Sequence, residues 1–345
     1  MDLLLSKNPI FGDCVKAHAV SDHYVKLVRS ATTFNIATGF ISNESIVELE
    51  RLVNFRKGTL SLNLLIGMNY LDKFTHLQYN ALRRLSQSLN DNGTGNVFVS
   101  KEVYYHGKMY SFEENGKCTG AFVGSSNLGS FVNSSNSLIE SDVFFDGTEA
   151  SIVNTRIRDI ISCIGTNFVD VPDITDFRKA DFSLLDNHEH VKKVTQERVN
   201  DLERKKTGAV VTIPLKTEPK SNLNTYFGKG KIKDRYSPRN WYEVELILGT
   251  GLPHKDLLPP KKVPLTVVTD DGFQFQCERQ GDNAKNFRSK DNLTILGKWI
   301  KGHMEAEGAL SLGELVTEDT FTKFKKRNLV LAQTSESGVW LLKME

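Results

Sequence analysis

Cysteine is scarce in this chain. The four residues Cys14, Cys118, Cys163 and Cys277 stand far apart in 345 positions. No Cys-x-x-Cys pair and no Cys/His cluster occurs, so neither a zinc site nor a disulfide framework is indicated. No apolar run approaches the ~20 residues that a membrane-spanning helix requires. The opening Met1-Asp2-Leu3-Leu4-Leu5-Ser6 lacks the basic start of a secretory signal. A cytoplasmic setting is the expectation. No P-loop is present, so any use of ATP would have to come from a partner. Internal repeats and low-complexity tracts are missing too. A strong charge of either sign is also lacking, since 44 Lys and Arg face 42 Asp and Glu for a net +2. The distribution is less even, at −3 over residues 1–200 and +5 over residues 201–345. The C-terminal part is therefore the better contact for a polyanion.

What is present suits a soluble globular protein of two domains, with 25% charged and 9% aromatic residues. Phe34–Ile41 reads as a buried strand. The stretch from Ser42 to Val53 has the apolar spacing of an amphipathic helix, with Ser42 or Asn43 as N-cap. Leu62–Met68 predicts a strand, Leu82–Leu89 a helix and Val97–Val99 another strand, so the first part alternates as α/β layers do. A further helix is predicted from Ile152 to Val169. Between about Val171 and Thr225 the pattern weakens into charge and then Thr, Lys, Pro and Asn, the character of a connector. From Tyr226 onward short strands are predicted at Trp241–Leu248, Val263–Val268, Phe273–Cys277, Leu293–Ile300 and Val339–Leu342, which suits a small or open barrel.

The chemistry concentrates between residues 104 and 127. His106 and Lys108 are two apart in the aromatic run Tyr104-Tyr105-His106-Gly107-Lys108-Met109-Tyr110. Read as a strand, that spacing puts both side chains on one face. Asn115-Gly116 is a hairpin turn signal, with Lys117–Val123 returning. An unbulged register sets Lys108 opposite Val123 and His106 opposite Ser125, and a bulge would shift it by one. Imidazole, ammonium and the Gly124-Ser125-Ser126-Asn127 turn then meet at one end. The group suits attack on phosphate: imidazole as nucleophile, Lys108 as fixed charge, Ser125 and Asn127 as donors. Glu140, or less favourably Asp142, is placed to fix the tautomer of His106. Standing alone, His106 and Lys108 would read as ordinary strand residues; the Gly-Ser-Ser-Asn turn reverses that preference.

These residues resemble the phospholipase D superfamily, marked by His-x-Lys followed by Gly-Ser-x-Asn. The match carries His106, Lys108, Ser125 and Asn127, with Glu140 at the place of a family glutamate that steadies the histidine. More narrowly, residues 1–175 are similar to the nuclease domain of NgoFVII-type restriction endonucleases. Residues 226–345 are similar to the B3-like DNA-binding pseudobarrel that follows it, and residues 176–225 form the connector. The resemblance implies an α/β phospholipase D-like domain, a mixed sheet flanked by helices, before a mainly β B3-like domain. One departure stands out: Glu113 occupies the position where the superfamily has Asp.

Two look-alikes fail on context. His190-Val191-Lys192 repeats the spelling, but in a charged, helix-like stretch where i and i+2 diverge. Pro172-Asp173 with Glu203-Arg204-Lys205 spells a metal-nuclease pattern, yet it lies in the connector and not on a core strand.

The basic stretch Lys229–Asn240 has five positive residues against one negative. A solvated loop is the usual reading of such a run. By resemblance it is the N-terminal DNA arm of a B3-like domain, and Arg279–Arg288 is the C-terminal one. Arg235, Arg239, Asp282, Asn283 and Arg288 are then the base readers, with Asn240 beside them, because their side chains pair donors and acceptors with base edges. Lys229, Lys231 and Lys285 are the phosphate contacts.

The resemblance implies a bacterial, cytoplasmic, type II-like restriction endonuclease acting on double-stranded DNA. It needs no metal for cleavage and no other cofactor, and it forms a phosphohistidine on His106. One credible His-x-Lys per chain makes a homodimer with a shared site a requirement of in-line displacement. A cognate methyltransferase is implied as partner, and a separate ATPase or helicase-like subunit accompanies some relatives. A lipid phosphodiesterase and an inert DNA-binding regulator are the alternatives, and each leaves half of the chain without a purpose.

Overall fold

Strand-forming runs rich in Phe, Ile, Leu and Val supply most of the framework. A computed structural model describes residues 1–5, 20–56, 58–132, 140–179, 184–186, 188–228 and 239–345. They divide into two units, Met1–Ala180 and Asp181–Glu345.

The first unit holds strands β1 (Asp2–Leu5), β2 (Thr33–Thr38), β3 (Ser61–Ile66), β4 (Gly95–Ser100), β5 (Lys108–Glu114), β6 (Lys117–Gly124), β7 (Ser141–Phe145) and β8 (Gly165–Asn167). They form one mixed sheet in the order β1-β7-β6-β5-β2-β3-β4-β8. Only the central β2-β3-β4 pairs are parallel. Helices α1 (Val20–Ser30), α2 (Asn43–Phe55), α3 (His76–Asn92), α4 (Leu128–Val132) and α5 (Gly147–Ile164) complete the unit. Ser42 caps α2 by accepting from the Ser45 amide, and Thr75 closes a capping box with Gln78 on α3.

Alternation along the strands sorts the two faces. Phe34 and Phe112 stack at 4.3 Å, and Tyr24 of α1 packs against both. The other face buries Ala37, Leu65 and Ala121 against Ala150, Val153 and Ile157 of α5. That face also carries a polar group: Glu113 accepts from Asn35 (3.0 Å) and Asn154 (2.8 Å) and faces Arg158 at 3.1 Å. The residue that departs from the superfamily pattern is thus a buried structural acceptor, away from the His-x-Lys end of β5.

Three local expectations need correction. The strand begins at Lys108, so His106 lies in the preceding loop and not on a strand face. Asn115 and Gly116 do turn the hairpin, with φ of 52° and 82°. A bulge between Phe112 and Glu113 then shifts the register, so Met109 and not Lys108 faces Val123. Helix α5 stops at Ile164, because the chain must turn to lay β8 against β4.

The second unit contains β9 (Lys192–Lys193), β10 (Lys206–Pro214), β11 (Leu246–Ile247), β12 (Leu265–Thr269), β13 (Phe273–Gln280), β14 (Asn286–Ser289), β15 (Asn328–Thr334) and β16 (Val339–Met344). Its sheet runs β10-β15-β16-β12-β13-β14-β11, with β9 added on β13. Helices α6 (Gln196–Arg204), α7 (Ile295–Ala306) and α8 (Glu318–Phe324) belong to the same unit. Most of the expected connector is therefore structured. Val199 and Leu202 of α6 join a core cluster with Val268 and Leu341, and β10 pairs with β15. The charge density that suggested a connector is the solvent side of α6.

Two strand expectations here give way to helix packing. Residues 295–306 are helical: Leu296, Trp299, Ile300 and Met304 fall at the three- and four-residue spacing of one buried stripe. Trp241–Glu245 is not a strand, because Trp241 and Tyr242 turn their polar atoms to Glu305 of α7, at 2.8 and 2.7 Å. Lys301, fully buried, donates to the Trp241 carbonyl at 2.7 Å and lies over the indole ring at 3.9 Å. No helix among the described residues is long and apolar enough to cross a membrane.

Burial lowers the pKa of Lys301 to about 7, with Glu305 partly opposing. The unfolded chain therefore binds the extra proton more readily between about pH 7 and the ordinary lysine value near 10.4. Stability should rise with pH across that window through this residue. In denaturant titrations at pH 7 and pH 9, the stability of wild type relative to Lys301→Met should improve at the higher pH; a pH-independent difference refutes the assignment.

Candidate active site

The ends of four strands make the site. Parallel strands β2 and β3 finish at Thr38 and Ile66, and β5 enters beside β2 with Lys108 paired to Thr38. Strand β6 leaves beside β5 and ends at Gly124, next to the start of β7. The loop that carries His106 crosses this edge. Tyr105 donates its amide to the Gly67 carbonyl at 3.2 Å. A Cβ on Gly67 would lie 2.2 Å from the Tyr105 carbonyl oxygen, and one on Gly39 3.1 Å from the His106 Cα. Two glycines at strand ends thus let the loop rest directly on the sheet.

His106 is exposed, with Phe40 edge-on to its ring at 5.7 Å. Lys108 is buried at 6% exposure, and its Nζ donates to the His106 carbonyl at 2.7 Å. The same Nζ lies 3.3 Å from both ring nitrogens. An ammonium donor needs a ring nitrogen with its lone pair available, which is also what a nucleophilic imidazole needs.

The Gly124-Ser125-Ser126-Asn127 turn is braced from below. Ser126 donates its amide and hydroxyl to Asp142 (3.2 and 2.6 Å), and the Tyr110 hydroxyl donates to the Ser126 carbonyl at 2.8 Å. A Cβ at Gly124 would meet Asp142 Oδ1 at 2.2 Å, so that position requires glycine. Ser125 stays exposed; its hydroxyl bonds Glu140 and accepts the Ser141 amide at 3.0 Å. Asn127 is half-buried, and its Oδ1 has no hydrogen-bond partner among the described residues. Glu140 acts electrostatically on Lys108 while bonding Ser125, so it links the two halves of the site. Its described bond is to Ser125, whereas the sequence suggested His106. Asp142 serves the turn, and burial raises its pKa despite the Ser126 bonds. Sequence reading missed Gly39, Gly67 and Tyr110. The shared alternation of Lys108 and Tyr110 on β5 was the signal for the last of these.

The expected DNA-contacting residues divide differently. Lys229, Lys231 and Arg235 lie outside the described residues. Asp282, Asn283 and Lys285 are exposed on the β13–β14 turn, where Asn283 adopts φ 54°. Asn240 accepts the Tyr242 amide at 2.9 Å. Arg239 and Arg288, expected to read bases, are only 16% and 18% exposed at their side chains and are paired with glutamates. As they stand in this structure, those two guanidiniums are committed to internal carboxylates.

Two family models match the chain. One, described as the NgoFVII restriction endonuclease N-terminal PLD domain, matches residues 19–173. The other, the NgoFVII C-terminal B3-like DNA-binding domain, matches residues 201–335. The mixed sheet with helices and the open second sheet therefore carry a phospholipase D-like fold and a B3-like pseudobarrel. Among solved structures, TrmBL2, an archaeal chromatin protein, is similar at 13% identity and a TM-score of 0.27, covering 42% of this chain and 48% of that one. This chain thus spans about half the length of that protein. A phospholipase D family member, Nuc from Salmonella typhimurium, is similar at 12% identity and a TM-score of 0.33, covering 48% of this chain and 95% of that one. Both likenesses are too distant to carry weight. No curated protein matches.

Burial lowers the pKa of Lys108 and Glu140 partly restores it. Lys108 should therefore lose its proton at lower pH than an ordinary lysine, and Glu140→Gln should move that loss lower still. An NMR titration of the lysine Cε resonance reads both, and an unchanged midpoint in the variant contradicts the coupling.

Proposed function

The chain belongs to the NgoFVII restriction endonuclease family, and from that we propose that it cuts double-stranded DNA at a chosen sequence with His106 as nucleophile. The observation that carries this reading is the Lys108 ammonium 3.3 Å from the ring nitrogens of an exposed imidazole. In the first step a lone pair of neutral His106 attacks the scissile phosphorus. A nitrogen–phosphorus bond forms, the bond to the leaving oxygen breaks, and that oxygen takes a proton from an acid on the opposite side. In the second step water attacks phosphorus, loses a proton to the same group and releases His106. Lys108 and the Asn127 amide NH2 donate to the phosphoryl oxygens, and the Ser125 hydroxyl joins them by turning from Glu140, its acceptor in the free protein.

The opposite acid is the second subunit's copy of His106 in this reading, because the sequence has one credible His-x-Lys. Two copies then share one site across a two-fold axis. Protein side chains supply the charge stabilisation, so the reaction as written uses no metal. Type II-like cleavage, a cognate methyltransferase, a bacterial cytoplasmic setting and a separate ATPase subunit for some members complete the proposal. A lipid phosphodiesterase would give the B3-like unit no task, and an inert DNA-binding regulator would give none to the His106–Lys108 pair.

His106→Ala should reduce plasmid cleavage by at least about 10⁴-fold, as loss of a nucleophile does, while gel-shift binding of DNA stays within twofold, about measurement error on an affinity scale. Full cleavage by the variant ends the nucleophile assignment. Wild type should also cleave in EDTA; a strict Mg²⁺ requirement for the cleavage step contradicts the metal-free route.

A further inference from the structure

Tyr105 packs against the backbone between His106 and Lys108. Its amide donates to the Gly67 carbonyl at 3.2 Å, which pins the residue at the end of β3. A Cβ on Gly67 would lie 2.6 Å from the Tyr105 Cβ and 2.9 Å from its Cδ1. A Cβ on Gly107 would lie 2.9 Å from Cε2, 2.5 Å from Cζ and 2.3 Å from the hydroxyl oxygen of the same ring. One ring therefore spans two glycines, with its near end on Gly67 and its far end on Gly107. Gly107 has no positive φ, so the ring and not the backbone conformation excludes a side chain there. The ring also packs on the core cluster that includes Ala37, Leu65 and Ile157.

Gly107 is the middle of a closed unit. The Lys108 ammonium turns back to the His106 carbonyl at 2.7 Å and to the ring nitrogens at 3.3 Å, so residues 106–108 form one loop around it. The Tyr105 ring bears on that loop at Gly107. Its hydroxyl adds nothing by bonding, since it is buried without a hydrogen-bond partner among the described residues. Burial pushes the hydroxyl pKa up to about 12, so it carries no charge at neutral pH. A buried donor without an acceptor costs stability. What the side chain supplies is the rigid length of an aromatic ring, pinned at its Cβ end and kept from swinging by close-packed core side chains.

We propose that Tyr105 is a positioning residue for the nucleophile: its ring, wedged between Gly67 and Gly107, sets where the His106–Lys108 backbone lies against the strand ends. Attack on phosphorus tolerates little error in approach, and a displacement of about 1 Å costs on the order of 10²-fold in rate. The ring acts by shape, so phenylalanine serves as well. The inference rests on the cleavage by His106 proposed above.

The test uses the full chain in excess over plasmid, and reads the saturated single-turnover rate constant beside the gel-shift affinity. Loss of folded protein lowers the concentration of active enzyme but not that rate constant, so a purely structural role leaves it unchanged. Tyr105→Leu should lower it about 10²-fold, with DNA affinity within about twofold of wild type. Tyr105→Phe should keep the wild-type rate and raise the melting temperature, because it removes the unpaired hydroxyl. Gly107→Ala should cost about as much as Tyr105→Leu. Added to Tyr105→Leu it should cost no more than about twofold further, because the ring atoms that its Cβ meets are gone. A wild-type rate in Tyr105→Leu overturns the proposal. So does a loss in Tyr105→Phe equal to that in Tyr105→Leu, which would make the hydroxyl a donor in the reaction, and so does additivity of Gly107→Ala. If Tyr105→Leu melts below the assay temperature, the other two variants carry the test, and either a slowed Tyr105→Phe or an unslowed Gly107→Ala overturns it. Absence of cleavage by wild type would overturn the function proposed above and this proposal with it, whereas a wild-type rate in Tyr105→Leu strikes at Tyr105 alone.

Discussion

A lysine ammonium held beside a histidine ring is the interaction on which the first unit turns. Lys108 is buried at the start of β5, and burying a cation is costly unless its protons find acceptors. The His106 carbonyl and ring supply them at 2.7 and 3.3 Å. That arrangement requires the loop bearing His106 to lie against the strand ends, which in turn requires Gly39 and Gly67 where it crosses. The grouping of these side chains at this edge follows from the mixed sheet: parallel β2 and β3 and antiparallel β5 bring unlike strand ends together.

Carboxylates then set how charge is distributed. Glu113 accepts from Asn35 and Asn154 and is paired with Arg158 inside the helix-covered face, far along β5 from Lys108. Glu140 stays at the site, bonded to Ser125 and acting on Lys108. In the second unit Glu245 absorbs two arginines that a count of basic residues would assign to DNA. Net charge by segment therefore overstates what each unit presents to a polyanion.

The alternation of strand and helix in residues 33–100 was legible because short apolar runs mark the buried strands and one apolar face marks each helix, and Ser42 marked its helix by a side chain that caps. The His-x-Lys and Gly-Ser-x-Asn residues were legible as a pattern, and the structure sets the Lys108 ammonium on the His106 carbonyl and braces the turn on Asp142. What escaped was tertiary. A bulge beside Glu113 moved the hairpin register by one, and no local propensity encodes it. Leu293–Ile300 looked like a strand because a short apolar run suits either period, and packing on Trp241 and Tyr242 chose a helix over Ile295–Ala306. The expected connector became α6 and β10 because β15 offered an edge to pair with. The pairing of Arg288 with Glu245 joins residues 43 apart in sequence, which only folding brings near.

The stereochemical course at phosphorus tests the central claim, covalent catalysis by His106, most directly. A DNA duplex with a single chiral phosphorothioate at the cut position, cleaved in isotopically labelled water, reports it. Two in-line displacements through a phosphohistidine predict retention of configuration in the product. Inversion would mean that water attacks in one step, and would contradict a nucleophilic His106.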